Sequence, residues 1–258
     1  MLGILDSGVG GLTVLREIQK LLPHESIHYV GDSAWCPYGS KPAREIQERV
    51  FALTDFLISQ GAELIVIACN SATIAAVEAL RAAYPLPFVG MEPGIKPAAA
   101  TSKTGVIGVL ATEASLAGEK FHNLVTTHAS RLRILTQPCP QFVTLVENGI
   151  LDGPEVISAI AEYTTPMLGE GADTIILGCT HYPFLKTALR REIPARVQLI
   201  DTGQAVAQRV ANLIKPAENS PPPEIHLHTT GPLAQLEKLL PILCPGLQAT
   251  CHQLIHKP

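Results

Sequence analysis

Two apolar runs in this chain share one pattern of hydrophobic and polar positions, and each ends on a cysteine. In Glu63–Ser71 and Asp173–His181, an acidic residue precedes five apolar or small residues, the cysteine, and then side chains that form hydrogen bonds. A continuous apolar run of this length predicts a buried parallel strand, and the helical pattern after it predicts a strand-to-helix connection. We therefore expect Cys69 and Cys179 at the carboxyl ends of strands, where open α/β sheets bind their ligands.

The same pattern recurs through most of the chain. Four predicted strands follow one another in the same order in each half, and the interval from cysteine to the next acid is nearly kept. It is 23 residues from Cys69 to Glu92 and 22 from Cys179 to Asp201. The apolar residues alone would fit any α/β protein, but the paired cysteines favour a duplicated unit. The pattern predicts two similar α/β domains with parallel sheets, related by pseudo-twofold symmetry, with a site in the cleft between them.

The predicted elements also suggest how the chain divides. We expect a first domain over residues 1–96 plus 206–258 and a second over 97–205. Residues 224–229 alternate like a half-exposed strand, which would return the tail to the first domain. The remaining elements are a helix from Leu12 to Leu22, helices near 42–60 and 154–168, and a proline-rich connector over 216–223.

A glycine-rich turn, Asp6–Gly11, precedes the first predicted helix. Its glycines would let backbone amides approach a ligand, but Thr13 stands where a dinucleotide site would have a third glycine, and no phosphate-loop lysine follows. A nucleotide site is therefore disfavoured. The exposed amides together with Ser7 suit a carboxylate, for which the helix dipole has the correct sign. A tight turn without a ligand fits the local pattern equally well.

Composition excludes several classes of protein. The chain has 258 residues, 47% of them hydrophobic, and a net charge of −4 with scattered basic residues. No basic patch is present to attract nucleic acid or an anionic membrane. No run approaches the length of a membrane-spanning helix, and Met1–Asp6 enters a strand without a signal-peptide pattern. We expect a globular cytoplasmic protein with no nucleic-acid or membrane partner.

The six cysteines are predicted to be free thiols. They stand at positions 36, 69, 139, 179, 244 and 251, without a Cys-x-x-Cys pair, so zinc and thioredoxin signatures are absent and no metal site is predicted. Cys244 and Cys251 lie in the carboxyl-terminal segment and are assigned to packing. Cys36 and Cys139 each precede a proline in a loop, where they either line the cleft or have a structural role, and we favour the structural role for both.

Four motifs resemble one enzyme family, the glutamate racemases, and the resemblance covers nearly the whole chain. The motifs are Asp6–Thr13, Pro37–Gly39, Cys69–Thr73 and Leu177–Pro183. The block around Cys179 is the most specific, because the related aspartate racemases usually carry glutamate where His181 stands. Two features depart from the usual family pattern: Ser71 replaces a threonine but keeps the hydroxyl, and Trp35-Cys36 is an uncommon lead into the second motif.

The resemblance implies a fold, an activity and a set of site residues. It implies two flavodoxin-like domains and an isomerase that interconverts L- and D-glutamate without a cofactor, supplying D-glutamate for peptidoglycan. Cys69 and Cys179 match the family's two proton donors and acceptors, and Asp6, Glu147 and His181 match the residues that assist them. The family's substrate contacts fall on Asp6, Ser7, Tyr38, Gly39, Asn70, Ser71, Thr180 and His181. The family also favours a homodimer.

Inversion at an α-carbon explains why two thiols would be needed. Hydrogen must leave from one face and return to the other, and one rigid base cannot reach both faces of a held substrate. An ordinary thiol has a pKa of about 8.5, so modest local changes populate the thiolate near neutral pH. We expect Asp6 to handle the proton of Cys69 and His181 that of Cys179. Polar groups of Ser7, Asn70, Ser71 and Thr180 would hold the α-carboxylate and stabilise the carbanion-like transition state.

Two other functions share parts of this pattern. A racemase of the same superfamily acting on aspartate or a hydantoin would keep both thiols but have a different pocket. A non-catalytic regulator on the same scaffold would be expected to lose a thiol or an assisting acid, and this chain keeps all of them.

Overall fold

Two parallel β-sheets flanked by helices make up the structure, a computed structural model that describes residues 1–214 and 222–254. The strands are β1 (Leu2–Asp6), β2 (Ile27–Gly31), β3 (Leu64–Ile67), β4 (Phe88–Gly90), β5 (Val106–Ala111), β6 (Arg133–Pro138), β7 (Thr174–Gly178), β8 (Gln198–Ile200), β9 (Ile225–Thr229) and β10 (Thr250–Gln253). The helices are α1 (Leu12–Leu21), α2 (Ala43–Ser59), α3 (Asn70–Ala83), α4 (Ile95–Thr101), α5 (Glu113–Ala117), α6 (Glu119–Ala129), α7 (Pro140–Glu147), α8 (Pro154–Gly169), α9 (Lys186–Glu192), α10 (Gly203–Ala211) and α11 (Leu233–Leu243). The connector predicted over 216–223 lies for the most part outside the described residues.

The strand order confirms the predicted repeat. One sheet has the order β10-β9-β2-β1-β3-β4 and the other β6-β5-β7-β8, with every neighbouring pair parallel. The order β2-β1-β3-β4 in the first sheet is therefore matched strand for strand by β6-β5-β7-β8 in the second. This is the order of the first four strands of a flavodoxin-like sheet.

The strand predicted at 224–229 forms, and it does extend the first sheet. It was expected to be half-exposed, but β9 is mostly buried because it lies between β2 and β10 rather than at the edge. The alternation in its sequence comes from three polar residues, His226, His228 and Thr229, of which the latter two are buried. Neighbouring strands on both sides, which sequence periodicity does not register, account for the difference.

Helices cover both faces of each sheet, as buried parallel strands require. In the first domain, α2 and α3 pack on one face, where Val50, Leu53 and Leu57 of α2 are fully buried. On the other face, α1 contributes an apolar stripe to a larger core that continues into α7, α8 and α9 of the second domain. The two domains therefore share a continuous apolar core.

Two helices lie at the predicted domain boundaries. Helix α4 begins at Ile95 and packs against α6 and β7 of the second domain, whereas α10 begins at Gly203 and packs against α1 and β4 of the first. The division at 96/97 and 205/206 would cut into both helices, so it stays a prediction to within a few residues. Within the described part of the chain, no helix has the length and hydropathy needed to cross a membrane.

Four histidines form a ladder on one face of the first sheet: His28, His226, His228 and His252. His28 is in register with His226, and His228 with His252. Ring nitrogens approach to 3.1 Å in the pairs His28–His228 and His226–His252. The edge of Phe56 from α2 packs on His228, and Glu224 lies 3.2 Å from His226. Burial and the neighbouring imidazoles lower the pKa of His228 to about 4.

This ladder should make the protein sensitive to acid. Unfolded His228 binds a proton below about pH 6.5, whereas the folded residue resists protonation until about pH 4. The unfolded state therefore holds more protons in that window, and stability falls as the pH drops through it. We expect His228→Gln to remove part of this decline, on the order of 1 kcal/mol. The free energy of unfolding by urea, measured at several pH values, checks this. The exposed His24→Gln serves as the control, and equal slopes for both variants and the wild type would contradict the prediction.

Candidate active site

Cys69 lies between β3 and α3, at the carboxyl end of its strand as predicted. It is the N-cap residue of α3, and its buried Sγ accepts a hydrogen bond from the backbone N–H of Ala72 at 3.5 Å. The thiol also lies 3.7 Å from the hydroxyl of Ser7, which follows β1. Burial and the nearby Asp6 carboxylate raise the pKa of Cys69 to about 12, while Ala72 and Ser7 oppose this. The Cys69 side chain is therefore a thiol in the free protein. Its position at a helix N-terminus stabilises the thiolate once a positive charge approaches.

Cys179 occupies the corresponding position after β7. Its Sγ lies 3.7 Å from Nδ1 of His181, and both side chains are buried. The other ring nitrogen of His181, Nε2, lies 2.6 Å from Oε1 of Glu147 at the end of α7. Glu147 in turn accepts the backbone N–H of Val9 at 2.9 Å. A carboxylate therefore orients an imidazole whose other nitrogen faces the thiol, a geometry suited to proton transfer.

The electrostatics of this chain favour a charged imidazole. Burial by itself would lower the pKa of His181, but hydrogen bonds with Cys179, Cys36 and Glu147 raise it well above its usual value. Burial would likewise raise the pKa of Glu147, but its bonds with His181 and Val9 lower it overall. The pair is therefore an imidazolium beside a carboxylate, and the ring faces the Cys179 sulfur through Nδ1.

Asp6 joins the two domains at the centre of the site. Its Oδ2 accepts the N–H of Gly8 at 3.0 Å, and its Oδ1 accepts the hydroxyl of Thr180 at 3.2 Å. Complete burial raises the pKa of Asp6, and the charge of His181 opposes only part of that rise. A carboxyl group with a raised pKa accepts a proton more readily than an ordinary aspartate, which suits a partner of the Cys69 thiol.

The turn after β1 passes very close to the second domain. A Cβ atom on Gly8 would overlap Glu147, and one on Gly10 would overlap His181 and Thr180. Only glycine leaves room for these contacts, so the glycine-rich turn brings its backbone against polar side chains of the other domain. The structure shows that this turn lies against Glu147, His181 and Thr180, and the predicted approach of its amides to a ligand stays a prediction.

The predicted substrate contacts fall into two groups. Near the thiols, the side-chain amide of Asn70 donates to the backbone carbonyl of Gly178 across the domain interface, while its Oδ1 is buried without a partner in the described structure. Ser71 Oγ lies 2.9 Å from Thr112 Oγ1 of the second domain. A buried polar atom without a partner is uncommon and points toward a ligand group.

Tyr38 and Gly39 lie on the loop after β2. The Tyr38 hydroxyl donates to Asp32 at 2.5 Å, and Arg49 holds the same carboxylate through two hydrogen bonds of 2.7 and 2.9 Å. The Tyr38 hydroxyl is thus committed within the first domain, and its ring lies in the same apolar cluster as Cys69. Gly39 packs against Thr112, where a Cβ would be 2.7 Å from the threonine Cβ.

Several contacts were missed at the sequence level. Thr112 bonds with Ser71, Val9 binds Glu147 through its backbone, and Thr13 donates its hydroxyl to the carbonyl of Thr180 at 3.0 Å. One signal for Thr112 was present, since Gly108–Thr112 repeats the pattern of Gly3–Ser7 and places Thr112 where the first half has Ser7. Cys36, expected to be structural, lies 3.5 Å from Glu147. No local pattern marked that contact, because the two residues are 111 positions apart.

A cavity of about 340 Å³ opens between the domains and reaches Cys179. Its lining includes Thr13 and Arg16 of α1, Cys179 and Thr180, and Lys186 of α9, but not Cys69. It therefore reaches one of the two thiols, and Ser7, Asn70 and Ser71 are not part of its lining.

The two α/β domains each place a thiol at the carboxyl end of the corresponding strand, with a polar side chain beside it. This arrangement is that of an α/β racemase. The chain belongs to the Asp/Glu/Hydantoin racemase family, whose model matches residues 5–210. The glutamate racemase of Ectopseudomonas mendocina is 48% identical over 254 residues, which cover 97% of this chain and 96% of that protein.

Solved structures agree with this assignment. A glutamate racemase isoform from Bacillus anthracis superposes with a TM-score of 0.87 at 32% identity, covering 98% of this chain and 97% of that one. The Escherichia coli glutamate racemase, determined in complex with L-glutamate and the activator UDP-MurNAc-Ala, gives the same TM-score, identity and coverage. The predicted family and fold are therefore confirmed.

Proposed function

We propose that this protein interconverts L- and D-glutamate, and that it supplies D-glutamate for peptidoglycan synthesis. The observation that carries the proposal is the matched pair of thiols, each with its own polar partner: Cys69 beside Ser7 and Asp6, and Cys179 beside His181. Relatives of nearly full length that are 48% identical are glutamate racemases. Racemases of aspartate or hydantoins belong to the same family. Aspartate or a hydantoin is not favoured as the substrate, because a relative 48% identical over 97% of this chain is a glutamate racemase.

Cys69 and Cys179 act as the two bases. In one direction the Cys69 thiolate removes the α-hydrogen as a proton, the electron pair of the C–H bond stays on the substrate, and the Cys179 thiol returns a proton to the opposite face. In the other direction the two sulfurs exchange roles. Asp6 takes or returns the proton of Cys69, and the His181–Glu147 pair does so for Cys179.

The bound substrate shifts these protons. Burial and the Asp6 charge hold Cys69 as a thiol, with a pKa of about 12. The α-ammonium of glutamate brings a positive charge next to the sulfur, which lowers the thiol pKa and favours proton transfer to Asp6. The protein thus forms its reactive thiolate when substrate is bound and keeps it protonated otherwise.

Polar groups from both domains hold the reacting carbon. Ser7, Ser71 and Thr180 present hydroxyls around the α-carboxylate, where negative charge grows in the transition state. The unpartnered Oδ1 of Asn70 is an acceptor and suits the α-ammonium. Asp6, Tyr38, Gly39 and His181 complete the substrate-contact set, with Tyr38 shaping the wall beside Cys69 rather than offering a free hydroxyl.

The proposal is tested with pure L-glutamate in deuterated water and no additive. We expect D-glutamate to appear with deuterium at the α-carbon, because the incoming proton comes from a thiol that has exchanged with solvent. Chiral chromatography measures the D-glutamate formed, and mass spectrometry measures its deuterium content. The same assay with L-aspartate and an L-hydantoin tests the alternative substrates. Racemisation of either one at a rate equal to or above that of glutamate would contradict the proposed substrate.

Two further parts of the proposal concern the protein in the cell. We expect a homodimer, because the family resemblance favours it. We also expect a cytoplasmic location, and none of the described helices has the length and hydropathy of a membrane span. Light scattering on the purified protein measures the first directly.

A further inference from the structure

Three side chains beside the proposed catalytic centre form a cluster with the ligand types of a zinc site: Cys36, Glu147 and His181. One ligand atom from each lies within 4.8 Å of the other two. The Cys36 sulfur is 3.5 Å from Glu147 Oε1, and His181 Nε2 is 2.6 Å from the same oxygen. Cys36 lies on the loop after β2, whereas the other two residues belong to the second domain, so the cluster forms only when the domains meet.

The spacing is close to that of a coordinated ion. Zinc binds sulfur at about 2.3 Å and nitrogen or oxygen at about 2.0–2.2 Å, which places ligands of a tetrahedral ion roughly 3.3 to 3.7 Å apart. The sulfur–oxygen distance already has this value, and the nitrogen–oxygen distance needs to widen by less than about 1 Å.

Charge and access also suit a divalent cation. A thiolate and a carboxylate together carry two negative charges, which neutralise one divalent ion in this largely buried place. Cys36 is half-buried rather than enclosed, and the Glu147 side chain retains 14% exposure, so an ion can reach both from solvent. The chemistry of one thiolate, one imidazole and one carboxylate favours a thiophilic borderline metal over magnesium or calcium.

We propose that Cys36, Glu147 and His181 bind a thiophilic divalent cation such as Zn²⁺, and that its binding switches off the proton transfer at Cys179. The ion replaces the protons on Cys36 Sγ and His181 Nε2, and both protons leave to solvent. With Nε2 bound to the ion, the hydrogen-bonded path from the Cys179 sulfur through the His181 ring to Glu147 is broken. The site itself rests only on geometry; the inhibition rests on the proposed racemase function.

Binding is tested with Co²⁺ in place of Zn²⁺, because a cobalt–thiolate bond gives a charge-transfer absorption band. We expect the band at one equivalent of metal in the wild type. It should also appear in Cys69→Ala, which keeps the cluster, and in Cys251→Val, which removes a half-buried cysteine on β10. Cys36→Val should lose the band and bind Co²⁺ at least about tenfold more weakly, since even indirect changes around metal ligands have such effects.

Inhibition is tested separately by glutamate racemisation with and without Zn²⁺. The wild type and Cys251→Val should lose at least about tenfold in rate with one equivalent of Zn²⁺, and Cys36→Val should lose little. A thiolate band that persists in Cys36→Val but disappears in Cys69→Ala would place the metal at the two catalytic thiols and overturn the site. Binding at Cys36 without inhibition would overturn the switch. If no variant racemises glutamate, the function fails while the absorption band still decides the site.

Discussion

Replacing either Cys69 or Cys179 with alanine should lower kcat/KM for glutamate racemisation by at least about 10³-fold. Each sulfur serves one face of the α-carbon, so losing either one stops inversion although the other remains in place. Both thiols are buried, and each has a hydrogen-bonding partner of its own that the other substitution leaves intact. The loss of the circular dichroism signal of a single glutamate enantiomer measures the rate.

The two variants should differ in a second, more diagnostic property. A protein that keeps only Cys69 can still remove and return the α-proton on one face, so it should exchange hydrogen for deuterium in one enantiomer without inverting it. A protein that keeps only Cys179 should do the same with the opposite enantiomer. Cys251→Ala, which removes a thiol outside the site, serves as the control and should racemise normally. Native-rate racemisation by either single-thiol variant would refute the two-base mechanism.

Asp6→Asn and His181→Asn should each lower kcat/KM by about 10²-fold or more, because each removes the proton-transfer partner of one thiol. L- and D-glutamate have equal free energies, so each variant must lose kcat/KM equally in both directions. The rates alone therefore do not distinguish the partner of Cys69 from that of Cys179. The primary isotope effect, measured separately on each enantiomer, distinguishes the two partners.

Each substitution should make proton transfer at its own thiol the slowest step. With His181→Asn, the enantiomer deprotonated by Cys179 should show a larger primary isotope effect from α-deuteration, and the other enantiomer a smaller one. Asp6→Asn should reverse this preference, since Asp6 accepts the N–H of Gly8 in the first domain and its charge raises the pKa of Cys69. Asp152→Asn, which removes an exposed ion pair with Arg191, is the control. The same preference in both variants would show that the two residues do not serve separate thiols.

The protonation states add a condition to this prediction. His181 is held as an imidazolium and Glu147 as a carboxylate, whereas burial raises the pKa of Asp6. Asparagine at 181 removes a positive charge that stabilises the Cys179 thiolate, so the loss in rate should be partly recovered at higher pH, where a thiolate forms without help. Such recovery separates an electrostatic role of His181 from a purely structural one.

The residues with the clearest local patterns were also the most accurately predicted. Apolar runs before Cys69 and Cys179 became β3 and β7, and the thiols stand at their carboxyl ends, because strand burial and strand-to-helix connections depend on neighbouring residues in the chain. The internal repeat predicted two sheets with matching strand order for the same reason. Family resemblance then supplied Glu147, which no local pattern would have assigned.

Contacts between distant segments were not predictable in this way. The approach of Cys36 to Glu147 joins residues 111 positions apart, and the bond between Ser71 and Thr112 crosses from one domain to the other. Tyr38 was expected among the substrate contacts, but its hydroxyl is bonded to Asp32, a partner that its motif does not reveal.

By itself, the sequence determined the strands, the helices that follow them and the positions of both thiols, because hydrophobic periodicity and turn residues act over a few neighbouring positions. The tertiary structure decided which side chains surround those thiols. Strand β9 is interior because β10 pairs with its outer side, and the Cys36 loop touches Glu147 because the two domains pack together there. These outcomes depend on the packing of whole sheets against one another, and no short stretch of sequence encodes that packing.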